Sequence, residues 1–151
     1  MQLRTGRTAA KPKQVMAQPM FVLLFKATGI WFILVIIAIL NAVVRDKILE
    51  PLIGRTALPV SGLLLSLFIF IAAFVSVPLM GSSNSKDYGI VGIAWFGLTL
   101  GFELLFGRFV TGKSWQAIMG VFNILKGDLF SIALLTCLVS PWVSAKLRNL
   151  I

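Results

Sequence analysis

"LPVSGLLLSLFIFIAAFVSVPLM", residues 58–80, carries no charged side chain from end to end. At about 1.5 Å of rise per residue, a helix of this length covers a bilayer hydrocarbon core of about 30 Å. In lipid, a helix satisfies every backbone N–H and C=O within its own segment, which an open strand cannot do. The stretch therefore predicts a membrane-spanning helix, with Pro59 in its first turn and Pro78 near its exit.

Working outward, three more stretches are long and apolar enough: 19–44, 88–106 and 129–145. The composition agrees. Of 151 residues, 58% are hydrophobic and 13% charged, and the mean hydropathy is +0.97. The expected fold is all-α, an integral membrane four-helix bundle occupying residues 19–151. Residues 1–18 carry Arg4, Arg7, Lys11 and Lys13 with no acid, and read as a basic cytoplasmic tail touching anionic lipid head groups. No small-x-small site closes the first apolar run, so it reads as an uncleaved span rather than a signal segment.

The connections are of three kinds. "RDKILEPLIGRTA", residues 45–57, mixes both signs and reads as a loop. "GSSNSKD", residues 81–87, is a short polar turn that makes its two flanking spans antiparallel neighbours. Between the third and fourth spans, Trp115, Ile118, Met119 and Phe122 follow the spacing of one helix face. With Ser114 as N-cap and Gly127 beyond the end, residues 115–126 predict a short interfacial or re-entrant helix. Asp128 is placed to cap the last span.

Orientation follows from Lys and Arg. With both termini on one side, that side collects eight of the fourteen basic residues and the other side six. The positive-inside rule then puts the N- and C-termini in the cytoplasm. The net charge of +9 sits in tails and loops, which points to lipid and not to nucleic acid.

Several chemistries are excluded by residue type. There is no histidine, and Cys137 is the single cysteine. A zinc site, a histidine-based triad and an intramolecular disulfide are thereby ruled out. Neither metal nor cofactor is expected, and no catalytic residue is assigned.

One residue stands out. Glu103 is an ionisable side chain inside a span, where charge costs a few kcal/mol unless it is answered. Asn41 and Arg45 share a face at the end of the first span, and Arg108 follows the third. In the expected topology all four lie at similar depth, Glu103 only about 6 Å below Gly107. The predicted polar cluster is Asn41, Arg45, Glu103 and Arg108, with an Arg45–Glu103 ion pair clamping spans one and three. Trp95, Thr99 and Glu103 share one face of the third span. Gly97 and Gly101 form a GxxxG on roughly the opposite face, expected to let a neighbouring helix backbone approach closely.

"LNAVVRDKILEPLIG" (residues 40–54) and "FGLTLGFELLFGRFVTGKSWQAIMGVFNILKGDLF" (residues 96–130) resemble a family of small four-span bacterial membrane proteins. Its pattern is N-A-x-x-R, then L-T-x-x-F-E-x-x-F-G-R, then G-x-S-W and an asparagine-glycine segment. Asn41, Arg45, Thr99, Glu103, Gly107, Arg108, Gly112, Ser114, Trp115, Asn123 and Gly127 carry the resemblance across residues 29–145. Phe122 stands where the pattern has tyrosine, and Asp128 where it has arginine. The resemblance implies the four-span fold and the polar cluster, and brings no activity with it.

Three functions follow as expectations. The first is a non-enzymatic scaffold or accessory subunit of the plasma membrane, held by the Arg45–Glu103 clamp, with membrane lipids and other membrane proteins or further copies as partners. The second is a small proton- or ion-coupled carrier or channel using Glu103. The third is an enzyme acting on lipid or envelope precursors, with Glu103 as acid or base.

Overall fold

The computed structural model describes residues 18–151. The expected contacts of the basic tail fall on residues 1–17 and lie outside the described residues. Among the described residues the secondary structure is entirely helical. The long helices are α1 (Met20–Val44), α3 (Ala57–Met80), α4 (Ser85–Leu105) and α6 (Phe130–Leu147), with two short ones, α2 (Glu50–Ile53) and α5 (Trp115–Gly120).

The first connection departs from expectation. Residues 45–57 form helical turns: a π turn at Arg45–Leu49, then α2, then a 3₁₀ turn at Gly54–Thr56. Pro51 lies at the start of α2, directly after the π turn, and cannot donate to the carbonyls of that turn. Helical turns still follow one another from Met20 to Met80, 61 residues, interrupted at Gly54, whose backbone is not helical. Counted as runs of successive helical turns, three segments are long and apolar enough to cross a membrane, Met20–Met80, Ser85–Val110 and Phe130–Leu147, where the sequence predicts four. The long segment is nevertheless folded back on itself. Gly54, at φ 58° and ψ −130°, makes the reversal in a backbone region that favours glycine. It lays α3 against α1, and the buried Asn41 amide donates to the Ser61 hydroxyl oxygen at 2.8 Å and to the Ser61 carbonyl at 3.2 Å.

Each long helix buries one row of small and large apolar side chains at three- and four-residue spacing. The rows are Leu23, Ala27, Trp31 and Leu34 on α1; Ile69, Ala73, Val77 and Met80 on α3; Tyr88, Val91 and Trp95 on α4; and Ala133, Cys137 and Ala145 on α6. α6 packs against both α3 and α4, and α1 closes the arrangement by contacting the same two helices. The closest approach joins α4 and α6. A Cβ at Gly92 would run into the Leu138 carbonyl oxygen, so only glycine lets these backbones meet. The expected GxxxG does not do this: nothing lies within 4 Å of a Cβ built at Gly97 or Gly101.

α3 contains Pro78. In a regular helix the Phe74 carbonyl would accept from the N–H of residue 78, and proline has none. Arg148, just past α6, donates to that carbonyl at 2.9 Å, and its guanidinium lies 4.9 Å over the Phe74 ring. Leu150 and Ile151 then turn back onto the core.

Candidate functional site

α4 and the turn that follows it position the site. Asn84 precedes α4, and its side chain caps the helix by accepting from the Lys86 N–H. The helix ends by widening into a second π turn, Phe106–Val110. The two π turns lie at the same end of the molecule, and each carries one of the arginines singled out above, Arg45 and Arg108. Such turns are frequent at functional sites, where they re-aim side chains that a regular helix would place elsewhere.

The four residues of the predicted cluster are not brought together. Asn41 is bonded to Ser61 on α3. Arg45 Nε pairs with its neighbour Asp46 Oδ1 at 2.8 Å, the one ion pair among the described residues. Arg108 donates to the Lys113 carbonyl at 3.4 Å and lies 5.8 Å over the Trp115 ring. The Arg45–Glu103 ion pair is therefore not formed. Asp46 is adjacent in sequence and exposed, so it takes the guanidinium at less entropic cost than a half-buried group on another helix.

Glu103 instead sits at a cavity of ≈ 50 Å³ among α1, α3, α4 and α6. Its carboxylate makes no hydrogen bond or ion pair with any described residue. The other walls are Trp31, Leu34, Val35 and Ala38 from α1, Leu65 and Ile69 from α3, Thr99 and Phe102 from α4, and Phe130, Ala133 and Cys137 from α6. Polar groups mark the inner wall. Trp31 Nε1 donates to Thr99 Oγ1 at 3.0 Å, and Thr99 Oγ1 lies 3.8 Å from Cys137 Sγ. Since an indole only donates, the Thr99 hydroxyl proton is left to point at the thiol or into the cavity. A volume of this size holds a few waters, each needing about 10–15 Å³ and polar partners.

Trp31 and Cys137 were not singled out as site residues from the sequence. Trp31 left a readable signal: an indole N–H in mid-span must find an acceptor, and Thr99 is the hydroxyl at matching depth. Trp95, expected on the same face as Thr99 and Glu103, is buried and donates to the Ala27 carbonyl at 2.9 Å. The expected helix at 115–126 is shorter. α5 begins as predicted, with the Ser114 hydroxyl accepting from the Ala117 N–H, but ends at Gly120. Asn123 then draws the backbone away by accepting from the Leu125 N–H, leaving a 3₁₀ turn at Ile124–Lys126 closed by Gly127 at φ 84°. Asp128 holds the entry to α6 by accepting from the Phe130 N–H at 3.1 Å.

Comparison with protein-family models, curated proteins and solved structures finds no match.

Proposed function

We propose that the chain is a four-span protein of the cell membrane, with both termini cytoplasmic, that works as a small proton- or ion-coupled carrier or channel through Glu103. Four spans result if the fold-back at Gly54 marks the point where the first segment leaves the membrane and re-enters. The observation that supports the reading is a carboxylate without a partner at a helix-enclosed cavity. A structural carboxylate at a helix-lined cavity would be expected to be paired, because an unanswered charge out of water is costly. A charge that takes up and releases a proton or a small cation must remain available instead. Thr99 supplies a hydroxyl one turn further in.

The competing reading is a non-enzymatic accessory or scaffold subunit. The contact of Gly92 with Leu138 favours it, because it leaves no passage between α4 and α6 in this conformation.

Purified protein in liposomes loaded with a pH-sensitive dye separates the two. Carrier or channel activity predicts proton flux above protein-free liposomes under an imposed potential, and its loss in Glu103→Gln, which cannot ionise. No flux from folded wild-type protein, or full flux from Glu103→Gln, would remove Glu103 as the working group and leave the accessory-subunit reading standing.

A further inference from the structure

Beyond α4 the chain forms a surface lobe, residues 106–126, whose side chains point outward to an unusual degree. Phe109 is 77% exposed, Val110 67%, Trp115 54%, Met119 54%, Ile124 52% and Leu125 98%. A water-facing surface rarely gathers so many large apolar groups. The boundary between head groups and acyl chains accommodates them, with aromatic and aliphatic groups lowered into the leaflet and basic groups kept at phosphate level.

The charge on the lobe is all of one sign: Arg108, Lys113 and Lys126, with no acid between residues 106 and 126. Two of the three are gathered at one corner. The Lys113 N–H donates to the Gly107 carbonyl at 2.9 Å, and the Thr111 hydroxyl donates to the same carbonyl at 2.8 Å. Gly112 turns the chain at φ +66° between them. Arg108 stacks over Trp115 and donates to the Lys113 carbonyl, so Arg108, Lys113 and Trp115 are held together. The arginine is exposed and has no carboxylate partner among the described residues, which leaves its remaining N–H groups directed outward.

We infer that this corner is a docking surface for the phosphate of an anionic phospholipid, with the exposed apolar side chains of the lobe seated beside its acyl chains. Arginine's planar fork takes two phosphate oxygens, lysine adds a point charge, and the indole fixes the depth. A zwitterionic head group brings its own cation to the corner and is held less well. The inference does not depend on any role of Glu103.

The test is native mass spectrometry of the full chain released from nanodiscs containing equal amounts of phosphatidylglycerol and phosphatidylcholine. Wild type is expected to retain phosphatidylglycerol in preference. Arg108→Gln with Lys113→Gln should lose about fivefold of that preference for each charge removed. Lys86→Gln, at the opposite end of the molecule, should leave it unchanged. Equal retention of the two lipids by wild type, or wild-type preference in the folded double variant, overturns the inference. If circular dichroism shows the double variant unfolded, Lys113→Gln alone carries the test, with the single fivefold loss expected and an unchanged preference fatal. Displacement of the lipid by inorganic phosphate at fixed ionic strength would likewise overturn it, because it would assign the corner to a free anion.

Discussion

Glycine at position 92 and glycine at position 97 have the same side chain and opposite circumstances. Gly92 faces the Leu138 carbonyl at van der Waals contact, whereas Gly97 faces open space. Gly92→Ala must push α4 and α6 apart and is expected to cost about 1–3 kcal/mol, as overpacking of a tight interior does. Gly97→Ala adds a methyl group where nothing opposes it, and alanine is the better helix former by about 1 kcal/mol. It should melt at or above the wild-type temperature in detergent. Equal destabilisation by both substitutions would show that Gly97 is also packed, against a second copy of the chain. Spacing alone favours Gly97 and Gly101, because GxxxG is what a sequence displays. Which glycine meets a backbone depends on how α4 is rotated, and that is set by the burial of Tyr88, Val91 and Trp95.

α3 and α6 are joined by a hydrogen bond that a proline makes available. Arg148→Met leaves the Phe74 carbonyl without a donor and should cost about 1–3 kcal/mol if the site stays dry. Pro78→Ala restores an amide N–H to the same carbonyl, so Arg148→Met made in that background should cost much less. A double-mutant cycle on thermal unfolding in detergent reads the coupling directly, and strictly additive losses would show that Arg148 does not replace the missing donor. The element boundaries divide along similar lines. Ser114, Asp128 and Gly127 are legible because each acts on the backbone within a few residues of itself. The helical path through residues 45–57 is not legible, because mixed charge reads equally well as a solvated loop or as the polar end of a helix.

At the scale of the whole molecule, the proposed four-span arrangement has a definite orientation. One end carries Lys26, Lys86, Lys146 and Arg148, and the sequence leading into α1 adds Arg4, Arg7, Lys11 and Lys13, eight basic residues against the six of the other end. The other carries Arg45, Lys47, Arg55, Arg108, Lys113 and Lys126 against Asp46, Glu50, Glu103 and Asp128. Reporter fusions at Ser83 and after Ile151 should therefore report the cytoplasm, and fusions within 49–56 or 108–113 the outside. Opposite locations for Ser83 and Ile151 would break the four-span arrangement, and a uniform inversion would keep the spans but turn the Glu103 cavity to the cytoplasm. The apolar runs, their lengths and the presence of one carboxylate among them were determined by the sequence by itself, since hydropathy and backbone hydrogen bonding act along the chain. Tertiary structure decided the partners. Arg45 went to Asp46, Asn41 to Ser61 and Trp31 to Thr99, and Glu103 was left at a cavity with none. Sequence separation and estimated depth say which groups can meet. Helix rotation and the cost of ordering long side chains select the ones that do.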